Sequence, residues 1–123
     1  MHKSFLKLSI VLAALSVVLG AFGAHSLKEV LDDKHLQIFE TGVKYQFYHA
    51  LGMMMVSFIY KEYSNKYTLW CCRLFLIGIL LFSGSLYVLA AFNGLYSFIG
   101  IITPFGGVSF IAGWALLYKG ISG

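Results

Sequence analysis

The sequence predicts an all-α membrane protein: four transmembrane helices in a compact bundle, with a short amphipathic helix at the membrane surface between the first two. Of its 123 residues, 59% are hydrophobic and only 11% are charged, against roughly 25% charged residues in a soluble domain. Four apolar runs each supply the 20 or so helical residues that cross a hydrocarbon core of about 30 Å. We therefore expect residues 1–123 to form a single integral membrane domain.

The net charge of +4 does not indicate a nucleic-acid partner. The basic residues stand at the ends of the apolar runs, whereas a nucleic-acid-binding protein gathers them into one patch or stripe. The partner that this pattern predicts is the lipid bilayer.

The first predicted span covers residues 5–24. A basic start and the small residues near Ala21 also resemble a secretory signal, but three more apolar runs follow where an exported soluble domain would be expected. Small residues recur along the run at spacings of three and four, which places them on one helical stripe. Such a stripe allows a neighbouring helix to approach closely, so we expect helix packing at Ser16, Gly20 and Gly23.

The segment 25–38 alternates charged residues with leucine and valine at helical spacing. This pattern predicts the short amphipathic helix lying in the membrane interface. Asp32, Asp33 and His35 suggest a metal site as an alternative, but their spacing matches no strong ligand motif. We therefore predict a solvated polar face, and no metal or other cofactor.

The second predicted span, residues 39–60, has two different faces. At 100° per residue, one face is small or polar and should point into the bundle: Gly42, Tyr45, Gln46, His49, Gly52, Met53, Ser57 and Tyr60. The opposite face should meet lipid: Phe47, Leu51, Met54, Met55 and Phe58. Glu40 and Lys44 lie on the lipid side, four residues apart with the acid first, which predicts an interfacial ion pair with Lys44 reaching back to the head groups.

The third and fourth predicted spans cover residues 69–92 and 97–118, joined by a turn at Asn93-Gly94. Small residues on several faces indicate close helix contacts at Gly84, Gly106 and Gly113. Pro104, the only proline, should kink the fourth helix or mark its true start. Trp114 and Tyr118 should approach the far membrane interface.

The sequence contains two cysteines, Cys71 and Cys72, which are adjacent. Adjacent cysteines rarely bridge each other. They are interpreted as small apolar filler, or alternatively as juxtamembrane thiols available for S-acylation.

The distribution of basic residues predicts that both termini are cytoplasmic. With four spans, both termini and the loop 61–68 share one side. That side has one acid, Glu62, and these basic residues: Lys3, Lys7, Lys61, Lys66, Arg73 and Lys119. The other side balances Lys28, Lys34 and Lys44 against Glu29, Asp32, Asp33 and Glu40. Because cytoplasmic loops carry the excess of lysine and arginine, the expected location is the cell membrane with both ends inside.

Four strings in series resemble the domain-of-unknown-function 423 family of small membrane proteins, which includes transmembrane protein 256. They are GAFGAHSL from residue 20, TGVKYQFYHA from residue 41, LFSGSLY from residue 81 and ITPFGG from residue 102, followed by Gly113-Trp114. The resemblance covers nearly the whole chain and implies a small multi-span membrane protein. It supplies no substrate.

The polar residues within the spans leave three functional hypotheses open. They form a candidate intramembrane polar cluster: His25, Tyr45, Gln46, His49, Ser83, Ser85, Tyr87 and Thr103. In the first hypothesis these side chains hydrogen-bond one helix to another. The protein then has a structural, accessory or assembly role, either as a homo-oligomer or together with other membrane proteins. In the second, His49 lines a polar cavity for protons or a small solute in an oligomeric transporter or channel. The third, an enzyme, is disfavoured because no nucleophile, base and orienting group stand in recognisable spacing.

Overall fold

A computed structural model describes residues 2–92 and 97–122, and every regular element in these ranges is helical. The main helices are α1 (Lys3–His25), α2 (Asp33–Ile59), α3 (Lys66–Gly78), α4 (Gly84–Ala91) and α5 (Thr103–Ser122). A π-helical turn, Ile79–Ser83, joins α3 to α4, and 3₁₀ turns cover Leu27–Glu29 and Ser97–Ile101. The prediction of an all-α protein is confirmed; the predicted turn at Asn93-Gly94 lies outside the described residues.

Three stretches of the described helices are long and apolar enough to cross a membrane: Lys3–Glu29, Lys66–Ala91 and Phe98–Ile121. They correspond to the first, third and fourth predicted spans. Helix α2 covers the second predicted span, but it does not meet the same measure of length, hydropathy and charge. Its 27 residues include four formal charges, at Asp33, Lys34, Glu40 and Lys44.

The amphipathic segment 25–38 does not form a helix of its own, contrary to the prediction. Helix α1 extends to His25, only the turn Leu27–Glu29 is helical in the connection, and α2 begins at Asp33. The start of α2 is set by Asp32, whose carboxylate accepts the backbone N–H of His35 at 2.8 Å. This N-cap bond holds the pKa of Asp32 below its ordinary value.

The helices that follow one another along the chain pack antiparallel: α1 on α2, α2 on α3–α4, and α3–α4 on α5. At one end of the α1–α2 pair Gly23 faces Phe39, and at the other the N–H of His2 donates to the carbonyl of Ser57 at 3.0 Å. Helix α2 lies between α1 on one side and α3–α4 on the other, and α5 packs against α3. The buried apolar core lies among α2, α3, the start of the π turn and α5: Met53, Val56, Cys71, Cys72, Phe75, Ile79, Phe110 and Leu117.

Two breaks in the third and fourth predicted spans have local causes. Pro104 is the second residue of α5, where its missing N–H removes no helical hydrogen bond, so it marks the start of the helix rather than a kink. In the third span the π turn interrupts the α-helical ladder and re-aims α4 relative to α3. Helix α5 crosses the π turn closely, because Gly106 has no side chain to separate it from the backbone of Phe82.

Candidate functional site

A row of polar groups follows one face of α2 and bonds to α1, the π turn, α4 and α5. Gln46, at the centre of the row, is 4% exposed. Its amide nitrogen donates to the carbonyl of Leu12 in α1 at 2.8 Å, and its amide oxygen accepts the hydroxyl of Tyr87 in α4 at 2.6 Å. One side chain thereby joins three helices.

The row continues towards the start of α2 at Gly42. The buried hydroxyl of Ser83, in the π turn, donates to the Gly42 carbonyl at 2.6 Å. A methyl group on Gly42 would lie 2.8 Å from the ring of Tyr87. Because glycine allows this approach, the serine of the π turn reaches the backbone of α2 directly.

Towards the other end of α2 the row reaches His49, which is 5% exposed. Its Nδ1 lies 2.8 Å from the carbonyl oxygen of Tyr45, and its Nε2 lies 3.1 Å from the indole nitrogen of Trp114 in α5. A carbonyl only accepts and an indole N–H only donates. His49 is therefore the neutral imidazole with its proton on Nδ1, and both ring nitrogens are engaged by the protein.

Aromatic rings enclose His49. Its ring stacks on Phe110 with centroids 3.6 Å apart and planes inclined by 10°, and the edge of Phe75 meets it at 5.1 Å and 76°. A cavity of about 390 Å³ opens beside it, lined by Tyr45, His49, Phe82, Gly107, Phe110, Ile111 and Trp114. This lining is mainly aromatic, so it does not support the polar cavity that the transport hypothesis places around His49.

Ser85 and Thr103 form a separate contact between α4 and the start of α5. Their hydroxyl groups are hydrogen-bonded to each other, and Ser85 also donates to the carbonyl of Phe82 at 2.9 Å. The contact fixes α4 against the start of α5 but does not join the row on α2.

Two residues of the predicted polar cluster lie outside the bonded row. His25 is exposed at the end of α1, and no hydrogen bond links its side chain to the described residues. The side chain of Tyr45 is 39% exposed, and only its carbonyl takes part. The sequence pattern placed Tyr45 correctly on its helix and His25 just beyond the first span, whereas α1 extends to His25. Helical periodicity alone does not fix how far a neighbouring helix covers such a residue.

The predicted helix-packing residues also differ in how the structure places them. Ser16 and Gly23 are buried, a methyl group on Gly20 would meet Val43 of α2 at 3.4 Å, and one on Gly113 would meet the ring of Phe75 at 2.6 Å. Gly106 makes the closest backbone approach, since a methyl group there would overlap the backbone nitrogen of Phe82. These five positions lie at helix contacts.

Gly84 does not lie at a helix contact, and its prediction is corrected. A methyl group there would meet no atom within 4 Å, because Gly84 opens onto a groove between α1 and α4 that Leu15 and Leu80 also line. The sequence places small residues on several faces of this helix, and Gly84 lies on a face that no neighbouring helix covers.

Sequence reasoning missed several polar contacts of α3 and α5. Trp114, expected near the interface, donates to His49, and Ser109 donates to the carbonyl of Leu74 at 2.6 Å. Asn65 caps α3 and donates to the carbonyl of Gly120 at 3.0 Å. For Trp114 a signal existed: it follows Phe110 by one turn and stands next to Gly113, on the part of α5 where small residues allow close packing.

The remaining candidate chemistry is limited. Cys71 and Cys72 are free thiols buried in the core, which agrees with apolar filler and leaves neither one accessible for S-acylation. Within residues 2–92 and 97–122, no group of three or more histidine, cysteine or acidic side chains is arranged to hold a metal.

The chain is similar over most of its length to membrane proteins of one family. The family model described as "Protein of unknown function (DUF423)" matches residues 19–107. The UPF0382 membrane protein YwdK of Bacillus subtilis is 45% identical over 116 residues, which are 94% of this chain and 93% of that protein. The UPF0382 inner membrane protein YgdD of Escherichia coli is 38% identical, over 90% of this chain and 86% of that protein. No solved structure matches.

Proposed function

Because the chain belongs to the DUF423 family of membrane proteins of unknown function, we propose that it is a four-span protein of the cell membrane with a structural, accessory or assembly role. The proposal includes three parts: α2 crosses the membrane, both termini are cytoplasmic, and the intramembrane polar residues hold helices together rather than perform catalysis.

The position of α2 supports its crossing. It runs antiparallel to both α1 and α3–α4 and lies between them, so the polar groups of its inward face, Gln46 and His49, meet protein rather than lipid. Its 27 residues extend about 40 Å at 1.5 Å per residue, which exceeds a hydrocarbon core of about 30 Å. A helix with satisfied polar groups can cross despite low hydropathy.

The packing also supports cytoplasmic termini. His2 meets Ser57 and Asn65 meets Gly120, so the start of α1, the end of α2, the start of α3 and the end of α5 share one end of the bundle. That end carries Lys3, Lys7, Lys61, Lys66 and Lys119, and excess lysine marks the cytoplasmic side. A reporter fused after Lys119 should be active only as a cytoplasmic reporter; extracytoplasmic activity overturns this part.

The bonds of Gln46 carry the structural role. An unsatisfied polar group in hydrocarbon costs several kcal/mol, whereas an interhelical hydrogen bond returns about 0.6 kcal/mol on average. Gln46 and its partners therefore add little net stability and instead penalise every other arrangement of the helices. A polar side chain that bonds two helices at once defines their register.

The decisive experiment compares a buried and an exposed histidine. His49→Phe preserves stacking on Phe110 but removes the acceptor of the Trp114 N–H, and His25→Ala is the matched control because His25 is exposed. We expect His49→Phe alone to lower the unfolding temperature in detergent. Liposomes containing either variant or the unmodified chain should show the same proton leak as protein-free liposomes.

The opposite outcome is equally clear. Proton or solute movement that requires the protein, and that His49→Phe abolishes in a folded sample, contradicts the structural role.

For the accessory or assembly part, cross-linking at native expression in intact membranes should trap the chain in a complex; a chain that stays monomeric contradicts that part.

A further inference from the structure

Lys44 is a charged residue of the lipid-facing side of α2 without an ionic partner. The predicted pair with Glu40 is not formed, since the only ion pair among the described residues joins His35 to Asp32. Lys44 is exposed, and none of the described aromatic rings lies in cation–π contact with it. The ammonium group is therefore available to a counter-charge from outside the chain.

Lys44 lies far along α2 for an unpaired charged residue. Lys44 is the charged residue closest to the middle of α2, eleven residues after Asp33, which is about 16 Å along the axis at 1.5 Å per residue. A helical side chain tilts towards the N-terminus of its helix. Its ammonium group is therefore directed towards the membrane surface on the side of the α1–α2 connection, from a Cα one turn deeper than that of Glu40.

A groove between α1 and α2 begins at Lys44. It has a volume of about 210 Å³ and is lined by Ser16, Val17, Val43, Lys44, Phe47 and Tyr48. Phe47 and Tyr48 follow Lys44 and so lie deeper in the membrane, while buried Ser16 forms the floor. The hydroxyl of Tyr48, one turn from Lys44, donates no hydrogen bond to any described residue.

The geometry points to a site for one anionic phospholipid in the leaflet on the side of the α1–α2 connection. The lipid phosphate would meet the ammonium of Lys44 and the hydroxyl of Tyr48, and an acyl chain would lie below it against Val17, Val43 and Phe47. A cation above an apolar groove is complementary to an anionic head group above a hydrocarbon chain. The site requires that α2 cross the membrane, but it does not depend on the structural role of Gln46 or His49.

The experiment measures lipid binding to the full-length protein in detergent by native mass spectrometry, with phosphatidylglycerol and phosphatidylcholine of the same acyl chains. The unmodified chain should retain phosphatidylglycerol preferentially. Lys44→Gln should lower this preference about five-fold, the loss expected for one basic residue at a membrane surface. Lys44→Arg should preserve it, and Lys28→Gln, which removes an exposed charge from the same side, should leave it unchanged.

A second variant tests the groove separately from the charge. Val17 is 63% exposed, so Val17→Phe fills the groove without entering the core. It should weaken both lipids equally, whereas Lys44→Gln weakens only phosphatidylglycerol. Raising the salt concentration should reduce the preference of the unmodified chain, a measurement that needs no variant.

Any of three results overturns the site. The first is that Lys44→Gln binds phosphatidylglycerol with the same preference as Lys28→Gln and the unmodified chain. The second is lipid binding that is insensitive to both Val17→Phe and salt. The third is a dimer in the mass spectra that Lys44→Gln dissociates, which assigns the counter-charge to a second copy. Failure here would leave the proton-leak and topology results intact, so the two proposals are separable.

Discussion

Two adjacent glycines in α5 offer a test of how closely α5 packs on the π turn. A methyl group on Gly106 would overlap the backbone nitrogen of Phe82 and lie 2.7 Å from its Cα. One on Gly107 would have its nearest neighbour, an atom of the Phe82 ring, at 3.9 Å. Gly106→Ala and Gly107→Ala therefore add the same group at neighbouring positions, one against backbone and the other towards the cavity beside His49.

The expected difference follows from the contact distances. Both substitutions gain about 1 kcal/mol of helix propensity, and this gain cancels in the comparison. Only Gly106→Ala must move α5 away from the π turn, by about 1 Å, because backbone atoms cannot rotate aside as a side chain can. Overpacking of this kind costs about 1–3 kcal/mol. The same movement would lengthen the bond between Ser109 and the carbonyl of Leu74, now 2.6 Å.

The protein carries its own reporter for this measurement. Its 2 cysteines are buried, Cys71 at 0% and Cys72 at 2% exposure, so a thiol-reactive fluorescent dye labels them only as the bundle opens. On heating in detergent, Gly106→Ala should label at a temperature several degrees lower than Gly107→Ala. Equal labelling temperatures would refute the backbone contact at the π turn.

Three further predictions concern the polar groups. Gln46→Leu should lower the free energy of unfolding by about 1–2 kcal/mol because it removes two interhelical bonds, while Tyr87→Phe, which removes one, should lower it by about 0.6 kcal/mol. Unfolding in detergent measures both changes, and a larger loss for Tyr87→Phe contradicts the assignment of these bonds. At neutral pH, ¹⁵N NMR of His49 should show a protonated Nδ1 and an unprotonated Nε2, and an imidazolium spectrum would be incompatible with the Trp114 bond. Asp32→Ala should speed hydrogen exchange at the His35 amide, with Asp33→Ala as control. Because the pKa of Asp32 is lowered, its cap should persist above the ordinary carboxyl pKa and be lost only as the pH falls below it.

The sequence was sufficient for features that depend on composition and period. Apolar runs identified the helices, and the spacing of Ser16, Gly20 and Gly23 identified the face of α1 that packs on α2. The helices form because every backbone group in lipid must be hydrogen-bonded. The packing face follows from the period of one helix alone. The inward face of α2, with Gln46 and His49, follows from the same periodicity.

Features that depend on a shift in register could not be read from periodicity. The π turn rotates α4 relative to α3, so Gly84 faces a groove and Ser83 reaches Gly42. The amphipathic pattern of residues 25–38 predicts a separate helix. Asp32, however, is a strong N-cap residue, so α2 begins directly after it. In that segment the capping signal outweighs the amphipathic signal.

The arrangement of bonds along α2 explains why the least apolar of the long helices lies at the centre of the bundle. Gly42, Gln46 and His49 lie four and three residues apart and so share one face. Their partners are Ser83 of the π turn, Leu12 and Tyr87 of α1 and α4, and Trp114 of α5. A slip of α2 by one turn would break all of these bonds together and leave polar groups unsatisfied in hydrocarbon. Since lipid gives apolar helices little preference for one another, the polar row of α2 is the feature that distinguishes this arrangement of the helices from a slipped one.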